Sequence, residues 1–266
     1  MPIDLRAELE PSVARLLDRH LAAARDWMPH ELVPWSLGRD FDSSPWHPGQ
    51  SRLPGHARGA LELLLAAEDD LPRRHASLAA VYGDRGAWAR WLHRWTAEEQ
   101  RHGLALRDYL LTSRAADPAG LEAARLRTLC TVRERPARDL ARTLAHLAVE
   151  QRAAAVRYRA VPDVPDCCGA LLERIADDKE LHAGFHRSLL DDALLIDPSR
   201  SVSAICAELL TAAAGLHPDL VVRPLAEHWR LADRPGLDAD AVRHLDALDA
   251  FLDSARPAAL APGGPR

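Results

Sequence analysis

Glu99 and His102 stand three residues apart in the run Trp95-Thr96-Ala97-Glu98-Glu99-Gln100-Arg101-His102-Gly103. On an α-helix that spacing puts both side chains on one face, about 5–6 Å apart. A carboxylate and an imidazole so placed form the Glu-x-x-His element with which helical bundles hold a carboxylate-bridged pair of iron or manganese ions. Such a centre needs two of these elements, and one further Glu from each of two other helices. The second candidate is Asp177-Asp178-Lys179-Glu180-Leu181-His182, where the residue three before the histidine is Lys179. Glu68 and Glu150 are the lone carboxylates offered by the other long helical stretches. Hard anionic oxygens and imidazoles converging in a water-poor core suit metals that bind O₂ and generate an oxidant. One half-site is intact; the other carries a cation where a carboxylate is required.

Acidic-x-x-His triplets also occur on solvated helix faces. Trp88, Trp91, Leu92 and Trp95 in the same stretch mark a mostly buried helix instead, and a buried carboxylate needs a partner.

Helices have to position these groups, and Ala, Leu, Arg and Glu dominate the chain while β-branched clusters are scarce. The periodicity predicts helices over residues 5–25 and 52–81, the second kinked at Pro72. A Trp-rich helix should follow the glycines at 83 and 86 and run to about residue 113, with a short one from Pro118 to Cys130. Pro136 is placed to open a long helix ending near Pro162, and another is expected over 167–195 before three shorter ones. The Pro-rich stretch from Trp27 to Pro54 should wrap a surface. Residues 1–256 read as one all-α domain, a bundle with four long core helices plus shorter ones, and the Pro/Gly-rich tail 257–266 as a frayed end.

With 266 residues, 47% of them hydrophobic and 27% charged, the composition is that of an ordinary globular protein. A net charge of −5 gives no reason to expect nucleic acid as a partner. The apolar runs are too short for a membrane span, and the N-terminus lacks the apolar core of a signal peptide. Four cysteines without CxxC spacing fit a reducing, cytoplasmic compartment.

The run from Trp95 to Gly103 resembles the first metal motif of the soluble acyl-carrier-protein desaturases, W-T-A-E-E-N-R-H-G. Trp27-Met28-Pro29-His30-Glu31-Leu32-Val33-Pro34-Trp35-Ser36 resembles the N-terminal loop of their actinobacterial branch, and Ile175-Ala176-Asp177-Asp178-Lys179-Glu180-Leu181-His182 resembles that branch's I-A-A-D-E-N-L-H. Motif order, spacing and length agree over roughly residues 5 to 255. The resemblance implies a ferritin-like helical bundle, a di-iron site and a homodimer. It also implies O₂-dependent insertion of a double bond into an acyl chain held on acyl carrier protein, with electrons from a ferredoxin.

The carry-over of site residues is uneven. The family's lone Glu stands four residues before a Pro, as Glu68 stands before Pro72, so Glu68, Glu99 and His102 match one metal's ligands. The third helix normally reads F-Q-E-R-A-T with its Glu as ligand; here Gln151 takes that place, Glu150 lies one residue early, and the family's Thr is Ala154. In the fourth helix Lys179 replaces the ligand Glu while His182 remains. Two carboxylates and a lysine then face two divalent ions, and uncompensated like charges in such a core cost several kcal/mol or more. A rescue would bring in Asp178, four residues before His182, together with Glu150. One residue rotates a side chain by about 100°, so Glu150 would need a helix irregularity such as a π-bulge.

His146 and His186 are secondary nitrogen candidates, each more simply a surface or core histidine, and Tyr109 and Tyr158 fit the core. Trp95 is placed for an electron route between metal and surface. Arg125, Arg127, Arg133, Arg135 and Arg138 suit either an acidic carrier protein or a solvated helix surface. The functional expectation is an acyl-carrier-protein desaturase-like oxidoreductase acting on a fatty or polyketide-type acyl thioester. The alternative is a non-catalytic homologue that binds an acyl chain or partner subunit, with Lys179 in place of the second metal.

Overall fold

Aspartates start several of the helices. Asp4, Asp117, Asp139 and Asp238 each accept hydrogen bonds from backbone N–H groups two or three residues on, satisfying donors that a helix start leaves free. The computed structural model describes residues 3–131, 138–213 and 218–255, and every regular element among them is helical. In chain order these are α1 (Leu5–Ala23), α2 (Pro29–Leu32), α3 (Gly55–Glu68), α4 (Leu71–Tyr82), α5 (Gly86–Thr112) and α6 (Pro118–Cys130). They continue as α7 (Leu140–Arg159), α8 (Asp166–Ile196), α9 (Pro198–Ala213), α10 (Val222–Trp229) and α11 (Ala239–Ser254).

The bundle is built around α5, α7 and α8. α7 lies along α8, α1 packs on both α5 and α8, and α3 and α4 pack on α5. α9 packs on α7, and α10 and α11 pack on α9. Apolar stripes supply two cores: Leu9, Val13, Trp91, Leu144, Leu189 and Ile205 belong to one, and Leu61, Leu106, Tyr109, Leu171 and Ile175 to the other. On α5 and α8 the two sets are separated in sequence by buried polar residues, Glu98, Glu99 and His102 on α5, Asp178, Lys179 and His182 on α8. The bundle is therefore all-α with a polar layer through its middle.

Pro72 does not kink one long helix. α3 ends at Glu68 and α4 begins at Leu71, with Pro72 in its first turn, where a missing N–H breaks no helical bond. The stretch 27–54 does wrap the bundle, with α2 and two single 3₁₀ turns, Trp35–Leu37 and Pro48–Gln50, along it. Arg114, at φ 54°, pins it by donating to Gln50 Oε1 at 2.8 Å and to the carbonyl of Ser44. Pro136 and the tail from Pro257 lie outside the described residues. Among the described residues no helix is long and apolar enough to cross a membrane.

A buried carboxylate ties α9 to α7. Glu208 accepts from Arg138 Nε at 3.1 Å and Arg142 Nε at 2.9 Å, and His146 Nδ1 lies 3.1 Å from its other oxygen. Burial alone would raise the Glu208 pKa, but hydrogen bonds from His146 and Arg142 overcome it and hold it at about 2, against an ordinary 4.5. A depressed native pKa contributes stability that is present above the unfolded value and lost as pH falls through the folded one. Glu208→Gln should therefore flatten the acid limb of stability between about 4.5 and about 2, read by urea unfolding at stepped pH. An unchanged acid limb would show that α9 is held without this ion pair.

Candidate functional site

Six helices deliver the polar layer. α1 brings His20, Glu68 ends α3, the partly buried Arg74 sits in α4, α5 brings Glu98, Glu99 and His102, α7 brings Gln151 and Tyr158, and α8 brings Asp178, Lys179 and His182. α5 approaches the end of α3 closely because Gly103 has no side chain; a Cβ there would lie 3.3 Å from the Cβ of Glu68.

Lys179, 1% exposed, places Nζ 2.8 Å from Glu68 Oε1 and 2.8 Å from Glu99 Oε2. Arg74 joins the same pair: its Nη2 lies 3.1 Å from Glu68 Oε2 and 3.0 Å from Glu99 Oε2. Tyr158 donates its hydroxyl to Glu68 Oε1 at 2.8 Å. Burial favours the neutral form of every one of these groups, yet their mutual attraction wins. Glu68 is held below the usual carboxylate range and Glu99 well below it, while Lys179 and Arg74 are pushed up. Burial and the neighbouring Glu68 keep the Tyr158 phenol protonated.

His102 is oriented from the other side. Its Nε2 lies 3.1 Å from Asp178 Oδ2, which also accepts from the Trp27 indole at 2.8 Å, while Arg174 donates to Asp178 Oδ1 at 2.8 Å. Burial would raise the Asp178 pKa, but His102, Trp27 and Arg174 lower it overall, so Asp178 is a carboxylate that keeps the imidazole proton on Nε2. Burial and the Lys179 charge hold His102 neutral. Its Nδ1 is left as a bare lone pair, buried and without a hydrogen-bond partner. A carboxylate behind a histidine in this way is how metal ligands are commonly aimed.

His182 bridges two acids. Nδ1 lies 3.1 Å from Glu99 Oε1 and Nε2 2.7 Å from Glu98 Oε2. Burial would lower its pKa, but the two glutamates raise it to about 9, so the ring donates from both nitrogens. His20 Nε2 reaches the same Glu98 oxygen at 2.9 Å. Neither His20 nor Glu98 was singled out by spacing. The available signal was His20 continuing the stripe Leu9, Val13, Leu16, Leu17 of α1, which marks a buried histidine.

The remaining sequence candidates lie as follows. Asp178 faces His102, Trp27 and Arg174, and no contact joins it to the Glu68–Glu99 pair. Glu150 is partly exposed on a groove wall with one oxygen unpaired, and Gln151 is fully buried with both amide atoms lacking a protein partner. Trp95 is buried, the Arg74 guanidinium 5.6 Å from its ring centre. His186 donates from Nδ1 to the His182 carbonyl at 2.8 Å, and burial pushes its pKa down to about 3. His146 is engaged by Glu208, Arg125 by Glu122, and Ala154 and Tyr109 are buried. Arg133 and Arg135 lie outside the described residues.

Two clusters among the described residues gather ligand atoms within 4.8 Å: Glu68, Glu99 and His102, and His20, Glu98 and His182. The first keeps an aimed imidazole nitrogen, but its two carboxylates are already neutralised by two cations. A pair of divalent ions would bring four positive charges to a pocket with no net anionic charge left, in a medium that screens poorly. The donor set does not fit two irons while Lys179 and Arg74 hold those oxygens. Beside it, a groove of about 700 Å³ runs between α3, α4, α6 and α7, with Leu63, Ala66, Leu78, Val81 and Leu147 among its apolar walls and Arg74 at its inner side.

A family model described as Fatty acid desaturase matches residues 2–214. DesA1 of Mycobacterium tuberculosis, named as an acyl-[acyl-carrier-protein] desaturase, is 30% identical over 285 residues, spanning 92% of this chain and 83% of its own. DesA2 of the same organism, similarly named, is 34% identical over 209 residues and 76% of either chain. The X-ray structure of DesA2 superposes with a TM-score of 0.70 at 28% identity, over 92% of this chain and 99% of that one. With matching motifs, the same all-α bundle and the family model covering most of its length, this chain belongs to the fatty acid desaturase family, in its actinobacterial acyl-[acyl-carrier-protein] desaturase branch.

Proposed function

We propose that the chain binds an acyl chain presented on acyl carrier protein, and that its centre is an ion-paired replacement for a two-iron site. The observation that carries this is Lys179 Nζ lying 2.8 Å from both Glu68 and Glu99, the place where a bridging metal would need those oxygens. Arg74 completes the neutralisation, and Gln151 and Ala154 stand where the family has a ligand Glu and a Thr. The groove supports the acyl half of the reading: its volume falls in the range of small-molecule sites, roughly 300–1,000 Å³, and Leu63, Leu78, Val81 and Leu147 give it an aliphatic wall, beside polar and charged residues such as Asp70, Arg138 and His146. The relatives' names supply the carrier-protein half. A homodimer and a cytoplasmic location remain part of this reading, while a ferredoxin donor belongs only to a turning-over enzyme.

A second reading keeps the oxidoreductase with a single metal. The unpaired Nδ1 of His102, aimed by Asp178, favours it, and it requires Lys179 to swing off Glu68 and Glu99.

Anaerobic loading with ⁵⁷Fe(II), followed by elemental analysis and Mössbauer spectroscopy, tests the first reading, and an uncoupled iron lost in His102→Ala would favour the second. The expected result is no exchange-coupled iron pair, together with saturable binding of stearoyl-acyl carrier protein and much weaker binding of the unacylated carrier. Two coupled irons per chain would overturn the proposal and restore a desaturase. Equal affinity for acylated and unacylated carrier would remove the acyl-binding role.

A further inference from the structure

We propose that His20, Glu98 and His182 form a separate buried site for one divalent transition-metal ion of the zinc and iron class. It lies across α1, α5 and α8 and takes no ligand from the Glu68–Glu99 pair. The inference does not depend on whether Lys179 keeps iron out of that neighbouring centre.

The geometry is that of ligands converging on a point. His20 Nε2 and His182 Nε2 lie 2.9 Å and 2.7 Å from one oxygen of Glu98, and the three residues are 5%, 0% and 3% exposed for His20, His182 and Glu98. Two imidazole nitrogens and one carboxylate oxygen are the donor set that borderline ions such as zinc and iron prefer. To sit about 2.0–2.2 Å from a common ion the three atoms need only spread slightly, by side-chain rotation.

The outer contacts aim the ligands. Glu99 Oε1 engages His182 Nδ1 at 3.1 Å, which leaves Nε2 to face the site. Arg94 donates to Glu98 Oε1, leaving Oε2 as the coordinating atom. His20 Nδ1 is buried without a hydrogen-bond partner, and the ring is held edge-on against Trp91, with centroids 5.0 Å apart. Such backing of histidine and carboxylate ligands tightens and orients a metal site.

The charge balance also differs from the neighbouring centre. An ion here displaces the Nε2 proton of His182, while His20 binds through Nε2 with its proton carried on Nδ1. Arg94 and Arg101 approach only Oε1 of Glu98, so Oε2 and two neutral nitrogens remain for one ion, whereas at Glu68–Glu99 Lys179 and Arg74 have already taken oxygens that two ions would need.

The test uses the whole chain, stripped with a chelator and titrated anaerobically with Co(II) alone. One Co(II) per chain is expected, with visible d–d bands and two imidazoles in the X-ray absorption spectrum of the unaltered protein. The bands should vanish in His20→Ala and Glu98→Gln and persist in Glu68→Gln. A failure of the unaltered chain to bind one equivalent, or one imidazole or none in its spectrum, overturns the proposal. Glu68, Glu99 and His102 together hold a single imidazole, so the count distinguishes the two clusters without relying on any variant to fold. A coupled di-iron signal on loading with ⁵⁷Fe(II) would instead count against the ion-paired centre, a separate result.

Discussion

Lys179→Met should lower the unfolding free energy at neutral pH by about 3–5 kcal/mol, the usual penalty for removing one partner of a buried ion pair. Methionine is close to lysine in length and fills the space, so little of the loss comes from a cavity. What is lost is the charge that lies 2.8 Å from Glu68 and from Glu99. Arg74 then remains as the one cation bonded to both Glu68 and Glu99, His182 reaching only Glu99 of the two, and burial pushes both acids towards protonation. Guanidinium unfolding followed by circular dichroism measures the change. Adding Glu68→Gln to the Lys179→Met background should return part of the loss, because it removes the acid left unpaired. A loss below about 1 kcal/mol, the scale of exposed pairs, would mean that Lys179 is not held between the two acids in solution.

The double replacement Lys179→Glu with Gln151→Glu should make the fold depend on metal. It exchanges a cation and a neutral amide for two acids, giving four carboxylates with Glu68 and Glu99 against Arg74 and the protonated His182. Without metal this variant should be less stable than Lys179→Met, since each uncompensated buried charge adds several kcal/mol. Added Fe(II) should raise its melting temperature in a concentration-dependent way, as any ligand specific to the folded state does. Iron content should climb towards two per chain. No gain in iron would show that more than these two positions was rebuilt, with Arg74 the next position to replace.

Much of the architecture was legible because helices are local objects. The Trp-rich stretch of α5, the Asp117–Pro118 start of α6 and the long α8 follow from capping residues and apolar spacing that act within a turn or two. Pro72 shows the limit: its sequence context allows a kink or a new first turn, and the structure takes the latter, with α3 ending at Glu68 and α4 starting at Leu71.

The candidate centre divides in the same way. The residue types at 68, 99, 102, 151, 179 and 182, and the fact that one metal half-site is intact while the other holds a lysine, are properties of the sequence, because Glu-x-x-His spacing sets one helix face by itself. Only the tertiary structure decided what meets those faces. Arg74 comes from another helix to the Glu99 carboxylate, and His20 reaches Glu98 across 78 residues of chain. Asp178 turns towards His102, 76 residues away, rather than towards the Glu68–Glu99 pair. A helical position one residue along points about 100° elsewhere, so which partner it finds depends on the rotation and packing of α1, α4, α5 and α8 against one another, and no local rule in the chain specifies that.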